Sequence, residues 1–273
     1  MRTSTDQSGS TTDADWSGST TDADRSGSTA DTDWSSSTTD TDRPELSVET
    51  VHVDPDAYEG IYVVGDVHGC VEELDALLSA LDVTDDDLVV FVGDLVRKGP
   101  DSAGVIDLVR DRDNFLSVRG NNEQKLLDGE DSLSSLTAAD HDWMASLPLA
   151  ITLPDTLVVH GGVNASKPLA AHTARELQTM RATPHDEPDT RPYWFETRTT
   201  SPTVVFGHTV LEEPHHTDAA VGLDTGCVHG RTLSYYDWRG DTVGSLDVET
   251  TYQHRPPSKV LSPSRPTPKP ADD

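Results

Sequence analysis

Five times along this chain a short apolar run stops at a glycine flanked by Asp, Asn or His: IYVVGD (61–66), LVVFVGD (88–94), FLSVRGN (115–121), TLVVHGG (156–162) and TVVFGHT (203–209). Runs of this length, rich in Val and Ile and closed by turn residues, read as buried strands. Helical periodicity fills the gaps between the first three. VEELDALLSAL (71–81) places Leu74, Leu77, Leu78 and Leu81 on one face, SAGVIDLVRD (102–111) is amphipathic, and a helix carrying Leu126 and Leu127 follows Asn121. Strands alternating with helices at this spacing demand a parallel sheet with helices on its faces. Farther on, AAVGLDTG (219–226) and RTLSYYDW (231–238) join the 156–162 and 203–209 runs as short strands separated by turns. The expected class is α/β, with a sandwiched α/β/β arrangement.

The same repeat locates chemistry. In open α/β sheets the ligand site lies beyond the carboxyl ends of the strands. Asp66, His68, Asp94, Asn121, His160 and His208 all stand there. Carboxylate oxygen, amide oxygen and imidazole nitrogen are metal ligands, and the neighbouring glycines permit tight turns. Any one of the six is ordinary at a strand end; six in one register point to a shared metal site.

The rest of the chain limits its setting. It holds 49 acidic against 20 basic residues, a net charge of −29, and only five lysines. Such a charge repels nucleic acid and anionic membranes. No stretch is apolar enough to span a bilayer and the N-terminus has no signal core, so a soluble cytoplasmic protein is expected. Acid-rich, lysine-poor composition suits high salt, where the Debye length is about 3 Å at 1 M and self-repulsion is muted. Residues 1–43 hold nine Asp and three Arg and so supply −6 of the −29; the remainder is still strongly acidic, which favours a salt-adapted host. Residues 8–43 are four copies of a polar nonapeptide, SGSTTDADW and variants, with too little apolar surface to offset chain entropy. The expected boundaries are a disordered tail at 1–45, a folded domain at 46–252 and a Pro-rich disordered tail at 253–273. Cys70 and Cys227 cannot make a disulfide framework and are expected to pack as small apolar groups.

The blocks GDVHG (65–69), GDLVRKG (93–99), RGNNE (119–123), HGG (160–162) and GH (207–208), in this order, resemble the signature of the calcineurin-like metallophosphoesterases. They are most similar to the branch shared by serine/threonine phosphoprotein phosphatases and symmetrical diadenosine tetraphosphatases. GDLVRKGPDS and LDTGCVHG (223–230) look closest to the ApaH-like phosphatases. The resemblance implies a four-layer α/β/β/α sandwich and two divalent metal ions. Asp66 and His68 would bind the first, Asp94 would bridge both, and Asn121, His160 and His208 would complete the second. Two metals a few Å apart activate a bridging water and clamp the oxygens of an in-line phosphoryl transfer. Mn, Fe and Zn all suit these donors, with Mn the ion of first choice.

Phosphoryl transfer also needs cations around the equatorial oxygens. Arg119 and Lys98 are candidates within the blocks, Lys98 acting as a point charge, and Arg181 and Arg191 are candidates beyond them. Two departures from the family pattern matter most. Protein phosphatases have GNHE, whose His serves the leaving group, and GDxVDRG, whose Asp orients that His; this chain has Asn122 and Arg97 there. A neutral amide cannot be a general acid. His215 and His216, on an expected loop after His208, are the alternative acids. The expected function is a metal-dependent phosphohydrolase favouring good leaving groups, such as dinucleoside polyphosphate or polyphosphate. The alternatives are a serine/threonine protein phosphatase and a catalytically silent metal- or phosphate-binding module.

Overall fold

The structure, a computed structural model, describes residues 46–182 and 192–262. Its first half is βα-rich: β1 (Thr50–His52), β2 (Ile61–Val64), α1 (Val71–Ala80), β3 (Leu88–Phe91), α2 (Ser102–Arg110), β4 (Phe115–Ser117), α3 (Asn121–Leu127) and α4 (Ala138–Ser146). Its second half is mostly strand: β5 (Ala150–Leu153), β6 (Thr156–Val158), α5 (Ala174–Thr179), α6 (Trp194–Thr197), β7 (Thr203–Phe206), β8 (His215–Thr217), β9 (Ala220–Gly222), β10 (Thr232–Asp237) and β11 (Thr242–Asp247). The strands form two sheets, ordered β11-β10-β2-β3-β4 and β1-β5-β6-β7-β9-β8.

Strand alternation builds the layers. Ile61, Val63, Leu88 and Val90 point from the five-stranded sheet into one core with Ile151, Leu153, Val158, Val205 and Val221 of the other sheet. Their neighbours point the opposite way. Val64, Val89 and Phe91 pack with Leu74, Leu77, Val105 and Ile106 of α1 and α2. Ala150, Leu157, Val204 and Phe206 pack with Leu177, Trp194 and Phe195 of α5 and α6. Buried on both faces, these strands are continuously apolar, and each fully buried Val or Leu contributes on the order of 1.5–3 kcal/mol. The order of layers is helix, sheet, sheet, helix, as the resemblance implied.

The parallel pairs β2–β3 and β3–β4 in one sheet, and β6–β7 and β7–β9 in the other, bring their carboxyl ends level: Val64 faces Phe91, Phe91 faces Ser117, and Val158 and Val221 flank Val205. Every loop that carries a conspicuous polar block leaves from these ends.

Several features depart from the sequence reading. β1, β5 and β11 have no counterpart in it. His215 and His216, expected on a loop, lie in β8, an edge strand paired with β9. The Pro-rich segment expected to be free from 253 is held through Ser262. It makes a short turn at Pro257–Lys259, and Leu261 bridges to Leu211 beside β8. The cause is Leu261 itself, which packs on the core of the second sheet. The repeat region and residues 263–273 lie outside the described residues.

Candidate metal centre

Three loops converge at the level strand ends. The 65–70 and 93–99 loops are stitched together by His68 N–H to the Asp94 carbonyl (2.8 Å), Gly69 N–H to the Leu95 carbonyl (2.7 Å) and Gly99 N–H to the His68 carbonyl (2.8 Å). The second sheet closes on them: His208 N–H donates to both carboxylate oxygens of Asp66, at 3.1 and 3.2 Å. Gly207 has to be glycine, because a Cβ there would collide with the Asp66 carboxylate. His68, Asp94 and His208 adopt left-handed backbone, with φ of 52°, 53° and 63°, as do Arg97 and Lys98 at 70° and 68°. A side-chain-bearing residue in that region costs of order 1–3 kcal/mol, and such residues concentrate at functional sites.

Asp66, His68 and Asp94, all buried, bring one donor atom each within 4.8 Å of one another. His68 Nε2 is 3.9 Å from Asp66 Oδ2 and 3.6 Å from Asp94 Oδ2. On the other side of Asp94, His160 Nε2 is 3.3 Å from Oδ1 and 3.0 Å from Asn121 Oδ1. The His208 ring meets the His160 ring edge-on at 5.1 Å. Asp94 therefore stands between two donor groups, one on each carboxylate oxygen. Carbonyl oxygens fix both imidazoles: His68 Nδ1 donates to Val96 O (3.0 Å) and His160 Nδ1 to Val92 O (2.8 Å). A carbonyl only accepts, so the proton is on Nδ1 and Nε2 faces the carboxylates, the arrangement metal-bound histidines use.

The electrostatics call for positive charge. Burial and the facing Asp224 carboxylate push Asp66 well above the usual carboxylate range. Burial acts the same way on Asp94, but His160 outweighs it and holds Asp94 well below that range. Burial works against a charged His160, yet Asp94 carries it up to about 9. His68 is driven down to about 3 by burial and by Lys98, whose Nζ sits 2.6 Å from its Nε2. A cationic group thus already rests on the His68 lone pair. Two buried carboxylates, three imidazoles and an amide oxygen on the two sides of Asp94 are the donors of a site for hard or borderline divalent ions. The residues fit a metal pair.

Two residues here carry no assignment from the sequence reading. Glu123, the last residue of RGNNE, is fully buried. Its carboxylate accepts from Asp94 N–H (3.0 Å), Leu95 N–H (2.8 Å), Val96 N–H (3.2 Å) and Gly120 N–H (2.8 Å). Burial, with Asp94 nearby, raises it to about 7. It ties the start of α3 to the loop that presents Asp94. Asp224 of LDTG is also buried, accepts from Gly226 N–H at 3.1 Å, and faces Asp66. Its signal was a lone Asp at the end of β9, in the position His208 holds after β7.

The cation candidates divide. Lys98 is in the cluster. Arg181 touches its edge, Nη2 donating to the His208 carbonyl at 3.3 Å. Arg119 reaches the other way, Nη1 donating to the Ala145 carbonyl of α4 at 3.2 Å, with Nε left unpartnered. Arg191 lies outside the described residues. Asn122 donates its backbone N–H to Asp94 Oδ1 (2.8 Å) and its amide to Asp94 Oδ2, and accepts from Arg97 Nη1. Arg97 is in turn clamped by Asp131. The two departures are thus one unit, a guanidinium donating to an amide where the family pattern has a carboxylate accepting from an imidazole. His215 and His216 take no part: His215 packs on Phe195 at 5.0 Å, and His216 Nε2 bonds Asp241 at 2.9 Å. Cys70 and Cys227 are buried and free in the core under α1.

Comparison with known proteins gives a consistent result. Residues 60–236 match the calcineurin-like phosphoesterase family. The asymmetrical bis(5'-nucleosyl)-tetraphosphatase PrpE of Bacillus subtilis is 28% identical over 215 residues, covering 63% of this chain and 88% of that one. A symmetrical bis(5'-nucleosyl)-tetraphosphatase of Vibrio cholerae is 25% identical, covering 65% and 94%. A crystal structure described as a candidate diadenosine tetraphosphatase superposes with a TM-score of 0.67 at 30% identity, covering 74% of this chain and 98% of that one. A protein serine/threonine phosphatase from Saccharomyces cerevisiae, at 15% identity and a TM-score of 0.50, shares the fold.

Proposed function

The chain belongs to the calcineurin-like phosphoesterase family and is a metal-dependent phosphoester hydrolase, and we propose that it hydrolyses phosphoanhydrides of the dinucleoside polyphosphate class in preference to alkyl phosphate esters. In this reading Asp66, His68 and Asp94 hold one divalent ion, and Asp94, Asn121, His160 and His208 hold a second. When bound, the two ions supply Lewis-acid charge and an activated water for in-line displacement; Mn is the ion of first choice. The observation that carries the assignment is Asp94, with His68 beside one carboxylate oxygen and, beside the other, His160, whose Nε2 also meets Asn121 Oδ1.

The protein's own groups do the remaining work. Glu123 and Asn122 fix the Asp94 carboxylate, so its two oxygens stay aimed at opposite donor sets. Lys98, whose Nζ lies 2.6 Å from His68 Nε2, is placed at the centre, where its ammonium would neutralise charge on the transferred phosphoryl group. Arg181, anchored to the His208 carbonyl, stands at the edge of the centre, where its guanidinium would meet substrate phosphate oxygens. Among the described residues, the two positions that hold the acid and its orienting carboxylate in the family pattern offer no proton to the leaving oxygen. Asn122 is an amide, and the charge of Arg97 is taken up by Asp131. Negative charge builds on the leaving oxygen in a loose transition state. A serine alkoxide needs a proton there, an aid worth typically about 10²–10⁴-fold, whereas a nucleotide phosphate leaves as a stable anion. The named activities of the bacterial relatives, tetraphosphatases, support the same class. The acidic, lysine-poor composition supports a salt-rich cytoplasm as the working environment.

The test compares diadenosine tetraphosphate, p-nitrophenyl phosphate and a phosphoserine peptide on Mn-loaded protein at matched salt. The reading expects turnover abolished by EDTA and the anhydride cleaved fastest, with the peptide at least tenfold slower. Equal or faster peptide cleavage would favour a protein phosphatase. No release of phosphate from any of the three would leave a silent binding module.

A further inference from the structure

A cavity of about 500 Å³ opens beside the metal centre, between the loop after β7 and the returning C-terminal segment. Its wall includes Arg181, Thr209, Arg255, Ser258, Lys259 and Leu261. Three cations converge there in a chain that carries 20 basic residues against 49 acidic ones. Neither Arg181 nor Lys259 meets a carboxylate among the described residues. Thr209 is 2% exposed, and its Oγ1 is buried with no hydrogen-bond partner; Arg181 Nε is likewise unpartnered. Orphaned buried donors lining a cationic cavity are the complement of an anion's oxygens.

The position is continuous with the centre. Thr209 follows His208 directly, and Arg181 bonds the His208 carbonyl. The segment that brings Arg255 and Lys259 is held in place rather than draped. Leu261 N–H donates to the Val210 carbonyl (2.9 Å), Glu212 N–H donates to the Leu261 carbonyl (2.7 Å), and Arg255 Nε donates to the Lys259 carbonyl (2.9 Å).

We infer that this cavity is an anion subsite, built by Arg181, Thr209 and the C-terminal segment 255–261, that holds the phosphates of the substrate which are not transferred. It rests on the phosphoanhydride reading and adds where the rest of such a substrate lies. A compact monoester fills only the metal centre; a nucleoside polyphosphate spans both places. The volume lies within the range of small-ligand pockets.

The experiment uses the full chain loaded with Mn and the exposed Lys259 as the lever. Lys259→Glu is expected to raise KM for diadenosine tetraphosphate about tenfold or more, the effect of losing roughly one charge-assisted hydrogen bond. KM and kcat for p-nitrophenyl phosphate should stay within twofold, and Lys259→Arg should behave as wild type. Leu261→Asp, which undocks the segment, should reproduce the Lys259→Glu pattern. Inhibition of p-nitrophenyl phosphate turnover by ADP and by orthophosphate is measured in parallel. The ADP inhibition constant should rise about tenfold in Lys259→Glu while that of orthophosphate holds. If the wild type ignores diadenosine tetraphosphate, the substrate reading fails, and the ADP-to-orthophosphate ratio alone decides the subsite. An unchanged ratio in Lys259→Glu, or equal losses for the large and the small substrate, would overturn it.

Discussion

Both carboxylate oxygens of Asp94 are engaged. Its Oδ1 faces His160 and takes the Asn122 N–H, while Oδ2 faces His68 and takes the Asn122 amide. Asn122 is thereby committed to orientation, and its remaining oxygen is occupied by Arg97. Replacing Asn122 by His alone sets an imidazole against a guanidinium, which disfavours the protonated form a general acid needs. The pair Asn122→His with Arg97→Asp restores an accepting carboxylate. Phosphoserine-peptide turnover should then rise by about 10²-fold in the double variant, less in the single one, with little change for diadenosine tetraphosphate. Steady-state rates on both substrates check this, and equal gains on both would refute the leaving-group argument. At this scale the sequence is readable where a residue's neighbours announce it. Asp66, Asp94, His160 and His208 follow buried strands, so their placement follows from strand geometry. Glu123 and Asp224 were opaque because their roles rest on partners 27–29 residues away or in the other sheet. Arg119 misled because proximity to Asn121 in sequence does not fix where a long side chain points.

Among the elements, α5 does more positioning than its six residues suggest. Gln178 donates to the carbonyls of Arg119 and Gly120 (3.1 and 3.3 Å), and the Gly161 N–H bonds the Leu177 carbonyl, so α5 holds both the RGNN and HGG loops. Its start is a capping box of Thr173 and Glu176, closed by Lys167 at 2.6 Å from Glu176. Lys167 and the Thr173 N–H lower Glu176 to about 2 from 4.5. A depressed acid stabilises the fold above its unfolded pKa, and that stabilisation is lost as pH falls from about 4.5 to about 2. Glu176→Gln should therefore melt below wild type at neutral pH, with the gap closing by pH 2; thermal unfolding across pH measures it. Glu123→Gln exchanges one accepting oxygen for a donor and strands up to two backbone N–H groups. It should cost about 2–3 kcal/mol and weaken metal uptake, which denaturant unfolding and metal titration would show. The central strands were legible from their apolar runs. β8 reads HHT, β11 is half exposed and β1 is a three-residue edge strand, so their pairing is set by partners rather than by local pattern. The returning segment hid behind its prolines, since one leucine at 261 anchors it.

For the molecule as a whole, the charge of −29 sets the working conditions. Like charges repel less as salt screens them, so the melting temperature should climb between 0.1 and 2 M KCl (a range chosen to shrink the Debye length from about 10 Å to under 3 Å). A neutral osmolyte at equal osmolality should do less. A flat salt response would show that the acidic surface carries no net self-repulsion. The repeats at 8–43 contain no His and no core-forming period, so deleting residues 1–43 should leave turnover within about twofold. A larger loss would give the repeats a part in the site. The central claim, a metal pair bridged by one carboxylate, has a direct measurement: Mn bound per chain together with p-nitrophenyl phosphate turnover, in wild type and in Asp94→Asn. Two ions per wild-type chain are expected, with activity appearing as the second binds. Asp94→Asn should retain at most one ion and lose turnover by at least about 10³-fold, some 4 kcal/mol of transition-state stabilisation. Two tightly held ions and near-normal turnover in Asp94→Asn would contradict the account.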